Sequence, residues 1–167
     1  MAITKIQSES LNLADTYAFT GTVTGAGESN KPYFHAYRSG SEQSIPATTF
    51  TKLQINTEIV DSASAYDNST NYRFTPQTAG KYYVYGQVTT SSGTDMARTM
   101  AMIYLNGSRI SQTNSFNDDS SSSLTATLVD LNGSSDYVEL YAYFGSAANT
   151  DLQGRSTYFG AYLVSTT

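Results

Sequence analysis

Residues 50–86, FTKLQINTEIVDSASAYDNSTNYRFTPQTAGKYYVYG, decide how this chain folds. The first part reads as two short strands, 49–56 and 57–60. A long polar loop follows, then a strand over 71–74. Thr75-Pro76 marks a turn, because proline fixes φ and has no N–H to give to a ladder. Gly80 then opens a strand over 80–91 that carries bulky residues on both faces, as a strand between covering layers must.

The same texture continues on both sides. Strands are expected at 33–38, 98–105, 108–114, 124–131, 136–144 and 157–164. Asn106-Gly107 and Asn132-Gly133 separate two pairs of these strands. Asn-Gly favours a tight hairpin because both central residues of a type I′ turn need positive φ. No stretch shows a sustained helical period. Many short strands joined by turns predict an all-β, antiparallel two-sheet sandwich.

The spacing within residues 50–86 resembles the signature of the complement C1q-type globular head, a jelly roll of the tumour-necrosis-factor-like class. Phe50 is followed by five residues and Asn56, and Phe74 by five residues and Gly80-Lys81-Tyr82-Tyr83-Val84. Tyr66 arrives late, which lengthens the intervening loop. Val84 replaces a phenylalanine, and Gly86 stands where an aromatic is usual. The opening Phe34-His35-Ala36 and the closing Ser156–Val164 strand also resemble the family. The likeness covers residues 31–167 and implies a jelly-roll head that forms compact trimers.

Composition narrows the function. Charged residues make up 14% of the 167, against roughly 25% in ordinary soluble domains, so Ser, Thr, Asn and Gln must carry solubility. The net charge of −5 argues against a partner read through its phosphates and against an anionic membrane. Nucleic acid and membrane are therefore not expected partners. With no cysteine and one histidine, disulfides and thiolate zinc sites are excluded. No apolar run has signal-peptide or membrane-span character.

Strand periodicity exposes an unusual face. Val138, Leu140, Ala142 and Phe144 share one side of their strand, while Tyr137, Glu139, Tyr141 and Tyr143 share the other. Phe159, Ala161 and Leu163 oppose Tyr158, Tyr162 and Val164. Tyr82, Val84 and Val88 oppose Tyr83 and Tyr85. Phenolic side chains suit subunit contacts, giving apolar area and a hydroxyl that seeks a partner. Phe34, His35, Tyr83, Tyr85, Tyr141, Tyr143, Tyr158 and Tyr162 are therefore read as one oligomer interface. The other reading is that these rings cap the ends of an ordinary core.

Catalytic chemistry finds little to stand on. His35, the only histidine, sits within a strand and reads as a packed or interface residue rather than a base. No nucleophile elbow or phosphate-binding glycine loop is present. A fibre-borne hydrolase would need a carboxylate pair in a cleft, and no pair is singled out by spacing. No enzyme activity and no bound cofactor are expected. Asp61 and Asp67, and Asp118 and Asp119, lie in loops of the kind that hold hard cations. Some C1q-type heads bind calcium, so these four are the calcium candidates, with solvated turn residues as the other reading.

Residues 1–30 differ in texture and end in a Gly-rich, small-residue stretch. They read as an attachment arm and linker, with Ile3, Ile6, Leu11, Leu13, Tyr17 and Phe19 as docking residues. This segment resembles the opening of small structural and fibre proteins of tailed phages, in particular cyanobacterial phages. That resemblance implies a non-enzymatic virion protein, made in the host cytoplasm. Its arm would bind other virion proteins of the capsid or tail. Its homotrimeric knob, residues 31–167, would decorate the particle or contact a host-surface glycan or protein. The alternative is a secreted or surface C1q-like recognition module, with or without calcium.

Overall fold

The computed structural model describes residues 30–91, 97–116 and 121–166. The attachment-arm residues Ile3, Ile6, Leu11, Leu13, Tyr17 and Phe19, and the calcium candidates Asp118 and Asp119, lie outside the described residues. Strands in chain order are β1 (Tyr33–Tyr37), β2 (Ser44–Ile45), β3 (Thr51–Lys52), β4 (Thr57–Asp61), β5 (Tyr66–Asp67), β6 (Arg73–Phe74) and β7 (Ala79–Thr89). Then come β8 (Thr99–Leu105), β9 (Ser108–Ser115), β10 (Ser122–Asn132), β11 (Val138–Phe144), β12 (Ala148–Asn149) and β13 (Tyr158–Thr166).

One sheet has the order β10-β7-β13-β1-β4. The second has the order β5-β6-β11-β8-β9, with β3 also paired to β11. A small ribbon pairs β12 with β2. Every strand pair is antiparallel. The result is the expected all-β jelly-roll sandwich.

Alternation places the core as the periodicity predicts. Tyr82, Val84 and Val88 of β7, Phe159, Ala161 and Leu163 of β13, and Val138, Leu140, Ala142 and Phe144 of β11 are all buried between the sheets. Phe34 corrects its interface assignment. It points inward, is 1% exposed, and stacks on Tyr66 at 4.4 Å and Phe74 at 4.6 Å. Burial of one such ring contributes roughly 1.5–3 kcal/mol, so Phe34 belongs to the centre of the fold. Tyr66, late in sequence, completes this cluster and donates its hydroxyl to the Ile55 carbonyl at 2.8 Å. Burial raises the Tyr66 pKa well above the phenolic range.

Gly86 explains the missing aromatic. A Cβ there would lie 2.5 Å from Leu140 Cδ1 of the facing sheet. The volume that a larger side chain would fill is taken by Leu140.

Three local expectations change. The strand expected over 49–56 contributes only Thr51–Lys52 to a ladder. Beyond it, Leu53 N–H still donates to the Leu140 carbonyl at 2.9 Å, and Leu53 and Ile55 sink into the core, so apolar alternation continues past the ladder. Side chains hold the rest of that segment. Gln43 Nε2 donates to the Lys52 carbonyl, Gln43 Oε1 accepts from Gln54 N, and the largely buried Arg38 donates to the carbonyls of Gln54 and Ser41.

The two Asn-Gly pairs also diverge. Asn106 and Gly107 have φ of 50° and 78° and join paired strands β8 and β9, as a type I′ hairpin requires. Asn132-Gly133 is not a hairpin, because β10 and β11 belong to different sheets. There Asn132 Oδ1 accepts from the backbone N–H groups of Ser134, Ser135 and Asp136. The side chain thus turns the chain from one sheet to the other.

The third change is in β10. Leu124 and Leu128 point outward while Ser123 and Thr125 are buried. The inward hydroxyls are used: Ser123 Oγ accepts from Ala101 N and donates to the Thr113 carbonyl. Thr125 Oγ1 is hydrogen-bonded to Ser111 Oγ at 2.9 Å. These bonds tie the edge of one sheet to the edge of the other.

Candidate functional site

The outer face of the five-stranded sheet gathers most of the predicted interface residues. Antiparallel register sets Tyr33 opposite Tyr162, Tyr162 opposite Tyr83, and Tyr83 opposite Leu128. One row further along, His35, Gly160, Tyr85 and Ala126 lie side by side. Tyr83 and Tyr162 have ring centroids 5.5 Å apart, and Tyr83 and Tyr85 are 6.0 Å apart. Tyr158 packs on His35 at 5.5 Å and on Tyr85 at 6.3 Å.

Gly160 makes the centre of this face possible. The Tyr85 ring lies across it, so that a Cβ on Gly160 would fall 2.4 Å from Tyr85 Cζ. Lying flat there, the Tyr85 hydroxyl reaches His35 Nδ1 at 3.0 Å. Burial, and then the Arg155 charge, lower the His35 pKa below its usual value. Burial, and then the neighbouring phenols, raise that of Tyr85. Both groups are thereby held neutral near pH 7, which suits an apolar contact and not acid–base work.

The periphery is aliphatic. Of the nine large apolar residues with high exposure among the described residues, six (Ile59, Val60, Leu124, Leu128, Tyr162 and Val164) lie on strands of this sheet. Leu124 and Leu128 were missed at the sequence level. Their outward direction follows from register with Gln87 and Tyr83, and alternation alone does not say which half of a strand faces the core.

Tyr141 and Tyr143 correct the single-face reading. They belong to β11 and lie on the outer side of the second sheet, across the core from Tyr83 and Tyr85. There Tyr141 stacks on Tyr104 at 4.1 Å, and Tyr143 packs on Phe50 at 5.4 Å. Arginines cover these rings: Arg98 lies 5.6 Å from the Tyr143 centroid, Arg109 5.4 Å from Phe50, and Arg73 4.4 Å from Tyr137. Lys52 pairs with the buried Glu139 at 3.1 Å. The molecule therefore has two different aromatic faces, one phenolic with an aliphatic rim and one of aromatic rings with cations.

The carboxylate candidates are engaged by backbone. Asp61 accepts from Ala63 N and Tyr66 N. Asp67 accepts from the N–H groups of Ser69, Thr70 and Asn71 and from the Asn71 amide. These bonds hold the Asp67 carboxyl well below the usual carboxylate range. In this structure Asp61 and Asp67 stabilise turns, the other reading of these two calcium candidates. Among the described residues no cluster of three or more His, Asp or Glu side chains is placed to hold a metal.

No family model and no curated protein matches the chain by sequence. Solved structures do match. The Eiger TNF of S. frugiperda superposes with a TM-score of 0.61 at 12% identity, over 81% of this chain and 93% of that one. Murine APRIL gives 0.61 at 13% identity, over 79% and 98%. The globular domain of zebrafish complement 1qA gives 0.56 at 16% identity, over 81% and 98%. The chain thus has the jelly-roll fold of the TNF and C1q globular domains. At these identities the likeness concerns fold, and function must be argued from the faces of the molecule.

Proposed function

We propose that this protein is a non-enzymatic, homotrimeric C1q/TNF-like knob of a virus particle. Residues 1–30 would attach it to the capsid or tail, and the head would decorate the particle or contact the host surface. The observation that carries the oligomer is the phenolic face: Tyr83, Tyr85, Tyr158 and Tyr162 at the centre, with Leu124 and Leu128 exposed beside them. Contiguous exposed apolar area of this kind marks a surface that is covered in the working molecule. Threefold assembly is supported by the resemblance to C1q-type heads, and the virion role by the texture of the N-terminal segment.

Light scattering on the full-length protein tests the assembly. A species near three times 18.1 kDa is expected, unchanged by EDTA because Asp61 and Asp67 are committed to amides. A monomer would refute the assignment of the phenolic face. Deleting residues 1–30 tests the attachment: the head should still assemble but no longer be recovered with purified particles. A truncated protein that is incorporated normally would favour the free recognition module instead.

A further inference from the structure

The second sheet's outer face has a chemistry that subunit assembly does not use. The chain carries a net charge of −5, yet this face holds Lys52, Arg73, Arg98 and Arg109, four of its nine cations. The register puts two carboxylates on it, Glu139 and Asp67. Glu139 is already paired with Lys52, and Asp67 is bound by the amides of its own turn. Among the described residues of this face, two more positive than negative charges remain. Among the described residues Arg73, Arg98 and Arg109 form no ion pair.

The geometry around Arg109 is built. The register between β8 and β9 shifts at Ile103/Tyr104, so Ile110 is an extra residue between Arg109 and Ser111. A bulge re-aims the side chains beside it. Arg109 runs across the sheet past Met102 Sδ at 3.9 Å and places its guanidinium over Phe50. Phe50 is 50% exposed and packs on Tyr143. Arg109 also lines an open depression of about 300 Å³, together with Ile110, Ser111 and Gln112. The Arg109 guanidinium, without a carboxylate partner among the described residues, thus joins a half-exposed ring, Phe50, to a depression that the Gln112 amide lines.

We infer that this face, centred on Phe50, Arg109 and Gln112, binds a carboxylated pyranose, the acidic sugar of a surface polysaccharide. The axial C–H face of a pyranose is apolar and packs on an exposed ring. One of its hydroxyls takes the Gln112 amide, which lies on the outer side of β9 opposite Met102. Its carboxylate takes the planar guanidinium fork in a charge-assisted, two-bonded contact. An apolar peptide anchor would want a deep pocket, and this depression is shallow and polar. The inference names a ligand and a face beyond the proposed function, and it does not depend on the trimer.

Titration calorimetry of the full-length protein tests it, with sialyllactose and tetragalacturonate as acidic probes and lactose and galactotetraose as neutral counterparts. At least one acidic probe should bind, its counterpart should not, and the acidic probe that binds identifies a nonulosonic or a uronic acid. Phe50→Ala and Arg109→Gln should each weaken binding about ten-fold, the loss of one stacking or charge-assisted contact. Leu128→Ser on the phenolic face should leave it unchanged. Arg109 also covers Met102, so Phe50→Ala, at a half-exposed position, keeps the test valid if Arg109→Gln unfolds. The inference is overturned if neither acid binds at about 10 mM, if acid and neutral sugars bind alike, or if both variants bind as the parent does. A trimer that binds no acid overturns this inference alone, and a monomer that binds acid overturns the assembly alone.

Discussion

Gly160→Ala should damage the phenolic face through one side chain, Tyr85. The added methyl carbon would sit 2.4 Å from Tyr85 Cζ and from its hydroxyl oxygen, closer than any non-bonded contact, so the ring must leave. Leaving breaks the hydrogen bond to His35, worth about 0.5–1.5 kcal/mol. It also disrupts the packing of Tyr85 on His35, Tyr83 and Tyr158, worth about 0.5–1.5 kcal/mol. Against this, alanine in a strand is better than glycine by roughly 0.5–1 kcal/mol. The net expectation is a loss of about 0.5–2 kcal/mol. In a Tyr85→Ala background the obstacle is gone, and Gly160→Ala should stabilise by about 0.5–1 kcal/mol. Urea unfolding of the four proteins at one fixed concentration closes this cycle, with an expected coupling of about 1–3 kcal/mol. Equal effects of Gly160→Ala in both backgrounds would refute the claim that Gly160 exists to seat Tyr85.

His35 should titrate below 6.5, because burial and Arg155 disfavour its cation. The unfolded chain then binds the extra proton first. Stability from this group is complete above about 6.5, falls as pH drops from there through the folded pKa, and is flat below it. As the only histidine, it gives a single imidazole resonance, and a midpoint at or above 6.5 would contradict the burial argument. Asp67→Ala should cost about 0.5–1.5 kcal/mol by leaving three backbone donors without their acceptor. The Asp67 contribution is present above about pH 3.9 and is lost as pH falls toward its lowered pKa, so acid unfolding curves of parent and variant should converge. Arg38→Lys should cost about 1–3 kcal/mol, since one ammonium cannot reach the Ser41 and Gln54 carbonyls that the guanidinium serves together; thermal melts that coincide with the parent would count against this. Leu128→Asp should lower the mass seen in light scattering without changing the far-ultraviolet dichroism, and an unaltered mass would exclude β10 from the interface.

The fold was legible because its cause is local. Alternation in 80–91, 136–144 and 157–164 says which residues go inward, and the structure buries Tyr82, Val84, Leu140, Phe144, Phe159 and Leu163 accordingly. The jelly roll in particular was expected from a resemblance, that of the spacing from Phe50 to Val84 to the C1q-type signature. What stayed hidden depends on register between distant strands. Phe34 lies beside His35 in sequence and on the opposite side of the sheet, so reading the pair as one interface unit could not hold. Asn106-Gly107 and Asn132-Gly133 are identical as dipeptides, and only the sheet to which the next strand belongs separates a hairpin from a crossover. In the first part of β10 the usual code is inverted, with Ser123 and Thr125 inward and Leu124 outward, because the buried hydroxyls find partners in β8 and β9, whereas Val129 and Leu131 point inward as usual.

The two aromatic faces share a composition and differ in what accompanies the rings. On the five-stranded sheet the neighbours of the tyrosines are leucine, valine and a histidine held neutral. That sheet also carries the Lys81–Asp130 pair and Arg155 over Tyr37, but around Tyr83, Tyr85 and Tyr162 the groups to be desolvated are mainly phenol hydroxyls, which a partner surface can hydrogen-bond. On the second sheet the neighbours are arginines. Covering that face with apolar surface would desolvate Arg98 and Arg109, which have no ion-pair partner among the described residues, and an unpaired buried charge costs more than the rings return. With four of its nine cations on one sheet face, the chain has two chemically unlike surfaces, and the proposed assembly and the proposed acidic ligand each fall on the surface whose groups suit it.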